Sequence, residues 1–156
     1  MEFKGMARRI KGVGAVVAAA ATLLIAPGTA VAGDDVGIAA VHRITHGGTG
    51  RCLDSNSAGS VYTHDCNGTR NQQWDNYATG KFRNVATRRC LTSDGSRILT
   101  TTNCAAGGTN WATNGTTRTQ IRHQTTGICA HNNGGSSQAV GPASCGSATY
   151  WTIRSA

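Results

Sequence analysis

Apolar residues come in short runs along this chain, such as VHRITH, RCLDS and VYTHDC. Clusters of Gly, Ser, Asn and Thr separate them. Helical periodicity is absent, and strong helix formers are few. Short strands joined by Gly-rich turns predict an all-β sandwich or barrel.

The pattern also repeats. The first cysteine of each copy is Cys52, Cys90 or Cys129; the second is Cys66, Cys104 or Cys145. Trp74, Trp111 and Trp151 follow in the same register. Eight residues before each first cysteine stand Ile44, Phe82 and Ile121, and three before it stand Thr49, Thr87 and Thr126. Leu53, Leu91 and Ala130 come directly after it. Five before each second cysteine stand Val61, Leu99 and Val140. Self-similarity at about forty residues marks a repeat architecture, in which no unit buries its apolar face alone. Three such units predict closure round a pseudo-threefold axis. Each would give Ile or Phe, Leu, Val and Trp to a shared centre. The repeat also chooses the cysteine pairing within each copy: Cys52–Cys66, Cys90–Cys104 and Cys129–Cys145. The cysteine count alone leaves all the other connectivities open.

One apolar run lies outside the repeat. Val13–Ala26 follows Lys4, Arg8, Arg9 and Lys11, and precedes Pro27-Gly28 and Ala30-Val31-Ala32. Charge, apolar stretch and small residues in that order predict a secretory signal over 1–32, cleaved after Ala32. The run is too short for a span, which takes about 20 apolar residues. The expected domains are then the signal, a flexible lead-in over 33–40, and one domain over 41–156. Its lobes fall at about 41–78, 79–116 and 117–156. The expected location is extracellular, with no membrane attachment after cleavage.

Without 1–32 the chain has 124 residues, of which only 15 are Leu, Ile, Val or Phe. That is thin core material. Six cysteines in an exported chain imply disulfides, each stabilising by about 3 kcal/mol in the chain-entropy model. Losing four basic and one acidic residue lowers the net charge from +8 to about +5. Apart from Arg88-Arg89 the arginines are scattered, without the dense stripe and aromatic partners that nucleic acid would need.

The stretch Cys52–Trp74 holds the most complete copy, with CLD at 52–54 and NQQW at 71–74. These motifs, on three lobes each with a cysteine pair and a late Trp, resemble the ricin-type lectin domain over about Val41 to Ile153. The resemblance implies a β-trefoil: three lobes of four strands, six forming a short barrel and six a hairpin cap. It implies a sugar pocket on a lobe face, with an Asp two after the first cysteine and an aromatic ring two before the second. An Asn-Gln pair before the Trp completes it. In this chain those positions are Asp54, His64, Asn71 and Gln72. Tyr62, two before His64 on a predicted strand, should face the same side. A pyranose needs a flat ring under its C–H face and carboxylate or amide groups at its rim. His64 stands where strong binders carry a larger ring, so either Tyr62 serves as platform or affinity is low. Asp54 and Asn71 also fit turn roles, and Gln72 also fits a structural role holding the Trp hairpin. The second lobe has Thr92, Thr102, Gly108 and Thr109 at these places; the third has His131, Ala143, Ala148 and Thr149. One working site is expected.

Catalytic patterns are missing. No G-x-S-x-G, H-E-x-x-H or phosphate loop occurs. The only carboxylates after residue 32 are Asp34, Asp35, Asp54, Asp65, Asp75 and Asp94. A glycosidase needs two opposed carboxyls. His42 and His46, four apart, are expected to be exposed strand residues, not a metal pair. Asn67-Gly68-Thr69 and Asn114-Gly115-Thr116 match the glycosylation sequon. The expectation is a monomeric, non-enzymatic lectin module without cofactor or metal, binding a galactose-like or xylan-like sugar. The alternative is a trefoil that binds protein, such as a protease inhibitor, with sugar recognition lost.

Overall fold

The computed structural model describes residues 40–134, 138–146 and 149–156. The expected signal and residues 33–39 of the lead-in lie outside the described residues. The first repeat forms strands β1 (Val41–His46), β2 (Cys52–Ser55), β3 (Val61–His64) and β4 (Gln73–Ala78). The second forms β5 (Lys81–Asn84), β6 (Cys90–Ser93), β7 (Ile98–Thr101) and β8 (Trp111–Ala112). The third forms β9 (Thr119–Gln120), β10 (Arg122–His123), β11 (Cys129–Asn132), β12 (Val140–Ala143) and β13 (Tyr150–Ser155). Each repeat therefore contributes four strands, the first strand of the third being split at Ile121.

The hairpins β2–β3, β6–β7 and β11–β12 share one register. Leu53 opposes Thr63, Leu91 opposes Thr100, and Ala130 opposes Pro142. This register corrects one expected equivalence. Ile98, not Leu99, matches Val61 and Val140: Ser93 opposes Ile98 as Ser55 opposes Val61 and Asn132 opposes Val140. Ile98 is buried and Leu99 is not. The second repeat has one extra residue between this position and its second cysteine. Side chains alternate across a sheet, so counting back from the cysteine lands on the wrong face.

β1 lies at the centre, paired with β13, β2 and β4; β4 pairs with β5. The ladder does not close into the expected continuous barrel. It forms one nine-stranded and one four-stranded sheet. At the junction of β5 with β8, the Trp111 amide donates to Gly80 O at 2.7 Å. Gly80 has φ +73°, and a Cβ there would lie 2.7 Å from the Trp111 carbonyl oxygen. A single close backbone contact, possible only for glycine, replaces a ladder at this seam.

The thin apolar set is used efficiently. Ile44, Leu53, Val61 and Trp74 form one cluster with Phe82, Leu91, Ile98 and Trp111, and with Ile121, Ala130, Val140 and Trp151. Each indole N–H donates to the carbonyl after the first cysteine of its own lobe: Trp74 to Leu53 at 3.0 Å, Trp111 to Leu91 at 3.0 Å, Trp151 to Ala130 at 2.8 Å. The three expected disulfides are present, Cys52–Cys66, Cys90–Cys104 and Cys129–Cys145.

The repeated threonines also have a cause. Thr49, Thr87 and Thr126 bond the residue three before them: His46 Nδ1 at 3.1 Å, Asn84 Oδ1 at 3.2 Å, His123 Nδ1 at 2.8 Å. That residue reaches into the preceding lobe. Asn84 Nδ2 donates to Asn71 O at 2.7 Å, and His123 Nε2 to Gly108 O at 3.0 Å. The His46 ring packs edge-on against Trp151 at 5.0 Å. His46 is 5% exposed, which corrects the expectation of an exposed strand residue. It faces the core because it sits on the same side of β1 as Ile44. His42 is half-buried, beside Asn76 Nδ2 at 3.1 Å.

Because Asn84 does the same task as His123, His123→Asn should keep most stability. His123→Leu removes one of the two donors to the Gly108 carbonyl, leaving only the Thr92 hydroxyl, and should lose about 1 kcal/mol. Equilibrium urea unfolding checks both; equal losses would count against the inter-lobe bond.

Candidate functional site

The face of the first lobe is built on β2 and β3. Asp54 and Tyr62 stand directly opposite each other, as do Cys52 and His64. Val61 and Thr63 are buried; Tyr62 is half-buried and His64 exposed, so the latter two share one side as expected. Asp54 is on that same side, since residues opposed in antiparallel register share a face.

Asp54 is only 5% exposed, and its Oδ1 is buried without a hydrogen-bond partner. A buried carboxylate oxygen with no donor is costly unless a ligand supplies one. Burial raises the Tyr62 phenol above its ordinary value of 10.0; the Asp54 charge and a hydrogen bond to Asp54 add to this. His64 Nδ1 lies 3.1 Å from the Asp65 carbonyl oxygen, which ties the ring to the rim of the face.

Asn71 is half-buried in a 3-10 turn, Arg70–Gln72. Its Nδ2 donates to Ser55 O at 2.6 Å, at the end of β2 beside Asp54. Gln72 behaves differently. It is fully buried, its Oε1 accepts from Asn67 N at 2.9 Å, and its Nε2 donates to Asp65 O at 2.9 Å. The structure thus gives Gln72 the role of holding the loop between Cys66 and Trp74.

The other lobes keep that scaffold without the site. Thr109 Oγ1 donates to the Cys104 and Ala106 carbonyls, and Thr149 Oγ1 to Gly146 O at 2.7 Å. In the second lobe the Asp position is Thr92, whose hydroxyl donates to Gly108 O at 2.9 Å. A Cβ at Gly108 would lie 2.8 Å from the Ser93 carbonyl oxygen, so the loop lies against the strand where Asn71 stands off it. Leu99 takes the place of Tyr62, and Thr101 that of His64, since Thr101 opposes Cys90. This replaces the expected Thr102, through the same extra residue. In the third lobe Gly141 opposes His131 and Ala143 opposes Cys129, so no aromatic ring stands on β12. Ala148 lies outside the described residues.

The sequence held no sign of one contributor. Tyr62 bridges to Ala139, and the Thr63 amide donates to Gln138 O at 2.9 Å. The free edge of β3 is therefore closed by the third lobe. A concavity of about 480 Å³ lies elsewhere, where the three hairpins meet beside Val61, Ile98 and Val140. Its Arg89 is already bonded to the Thr100 carbonyl at 2.9 Å.

A four-strand unit repeated three times round one shared core defines a β-trefoil. The chain belongs to the ricin-type β-trefoil lectin domain family, whose model matches residues 40–155. A search of curated proteins gives no match. Among solved structures, the designed threefold-symmetric protein ThreeFoil is 16% identical with a TM-score of 0.63, over 72% of this chain and 96% of its own. The Macrolepiota procera ricin B-like lectin, solved with lactose, is 19% identical with a TM-score of 0.61, over 74% of this chain and 95% of its own. An exo-β-1,3-galactanase from Clostridium thermocellum is 17% identical with a TM-score of 0.66, over 75% of this chain but only 30% of its own. At such identities the likeness is one of fold.

The Tyr62 phenol should titrate above 10.0, followed by its ultraviolet phenolate band. Asp54→Asn should lower that value while leaving the part due to burial. With the folded value raised, stability is fully present below pH 10.0 and falls as pH rises through the folded value. Tyr62→Phe should remove that alkaline slope.

Proposed function

We propose that this domain is a carbohydrate-binding module that holds a galactose-like or xylan-like sugar on its first lobe and does no chemistry on it. The observation that carries the reading is the buried, unpartnered Oδ1 of Asp54 beside the Tyr62 ring. A sugar hydroxyl would give that oxygen its donor, and the C–H face of the pyranose would lie on Tyr62, with His64 at the edge. Asn71 keeps its amide oxygen for a second hydroxyl while its nitrogen is spent on Ser55. Gln72 supports the site from behind.

The non-catalytic part of the reading rests on the same inventory. Arg51 holds Asp65, Arg83 and Arg88 hold Asp75, and Arg97 holds Asp94. Among the described residues Asp54 is therefore the one aspartate without an arginine partner, where hydrolysis would call for two opposed carboxyls. Export as a monomer fits the disulfides and the sequence of 1–32. The lactose complex of the Macrolepiota procera lectin is the reason to include galactosides among the first sugars tried.

Calorimetry with galactose, lactose and xylo-oligosaccharides tests this. At least one should bind, and Asp54→Ala should weaken it by at least about tenfold, the worth of one charge-assisted hydrogen bond. Tyr62→Ala should do the same by removing the platform. Absence of heat with every sugar, together with capture of a protein that sugar does not displace, would favour a protein-binding trefoil instead.

A further inference from the structure

The sheet face that carries the first-lobe site continues across β1 to β13. His64 opposes Cys52, Cys52 opposes Thr45, and Thr45 opposes Thr152, so all four side chains lie on one side. Two residues further along β1 and β13, on that same side, Arg43 directly opposes Arg154. Both are exposed, while their neighbours Ile44 and Ile153 point into the core. Like charges directly opposed on paired strands destabilise a sheet unless something neutralises them. Nothing in the described protein does. None of the four ion pairs among the described residues involves Arg43 or Arg154, and Asp65, Asp75 and Asp94 are held by other arginines.

The two arginines line a concavity of about 430 Å³ with Thr45, Thr152 and Cys66. Cys66 is bonded to Cys52, so this hollow adjoins the rim of the first-lobe face. A second hollow of about 400 Å³ shares Thr152 and adds Arg118, whose guanidinium lies 5.0 Å from the centre of the Tyr150 ring. Strands about 4.8 Å apart put β13 roughly 14 Å from β3. That is the reach of a short oligosaccharide, not of one sugar ring.

We propose that Arg43 and Arg154 form an anion subsite, so that the preferred ligand is an acidic glycan. One neutral residue would rest on Asp54 and Tyr62, and a carboxylate or sulfate group further along the same chain would lie between the guanidinium groups. The threonine hydroxyls would donate to its remaining oxygens. Guanidinium groups match both oxyanions through paired N–H bonds. This rests on the first-lobe reading for its neutral end, but the arginine site can be tested separately.

The test is calorimetry on the full chain with three oligosaccharide sets of equal length: neutral galactan, oligogalacturonate and sulfated galactan. The wild type should bind at least one acidic set about tenfold tighter than the neutral one, with the advantage fading as salt is raised. Arg43→Gln/Arg154→Gln should lower acidic affinity to the neutral level, leave neutral binding unchanged and raise the melting temperature slightly, because the opposed charges are gone. The two acidic arms tell carboxylate from sulfate. Arg88→Gln/Arg122→Gln removes the same charge elsewhere and should keep the advantage. Equal wild-type affinity for acidic and neutral sets, or equal loss in the control pair, overturns the subsite and leaves the first-lobe reading intact. Acidic binding that needs the arginine pair but survives Asp54→Asn, with no neutral binding, supports the subsite and overturns the first-lobe reading. No binding of any set overturns both.

Discussion

Each lobe depends on one hydrogen bond, from the Trp74, Trp111 or Trp151 indole to the Leu53, Leu91 or Ala130 carbonyl. The indole brings the largest apolar surface available to a core with few aliphatic residues. Its one polar atom must be satisfied once water is excluded. The acceptor is a carbonyl at the start of the hairpin in all three lobes, so burying the ring also fixes where the hairpin sits. The disulfide then ties the strand next to that carbonyl to the loop that leads back to the Trp. Packing, register and covalent closure converge on the same few residues in every lobe.

The lobes are joined by a second recurring device. His46, Asn84 and His123 each take a threonine of their own lobe with one end. Asn84 and His123 use the other end to hold a carbonyl of the lobe before. The carbonyls they hold, Asn71 O and Gly108 O, belong to the loops that form or close the lobe face. The geometry of a binding face is thus set partly by the next lobe. Asn71 is held from behind by Asn84, and the β3 edge under Tyr62 is closed from the third lobe by Gln138 and Ala139.

The same loop explains why one lobe differs from the others. Gln72, Thr109 and Thr149 all bond their loop's backbone, so loss of the Gln does not cost the fold. Losing Asn71's counterpart matters more. With glycine at 108 the loop drops onto Ser93, and Thr92 closes the gap with its own hydroxyl. The first lobe keeps a longer side chain there, and Asp54 stays without a protein donor on Oδ1. Scaffold and site are carried by adjacent residues, which is how a repeat can lose binding without unfolding.

Much of this was legible in the linear chain because repeats record their spacing there. The offsets of Cys, Trp, Ile and Thr determined three units, the strand class, the disulfide pairing and the shared core. The resemblance carried by CLD and NQQW singled out Asp54, His64 and Asn71, and strand alternation added Tyr62. The fold puts Asp54, Tyr62 and His64 on one face, with Asn71 bonded to the end of β2. Counting failed where one residue was inserted, so that Leu99 and Thr102 stood in for Ile98 and Thr101. Sequence could not separate Gln72's two roles, because a buried amide and a ligand-facing amide are the same residue until its partners are known. Nor could it bury His46, whose orientation follows from a strand face. The opposition of Arg43 to Arg154 was hidden entirely, since strand pairing joins residues 111 positions apart. Spacing along the chain is a local quantity; register across a sheet is set only when the lobes close on one another.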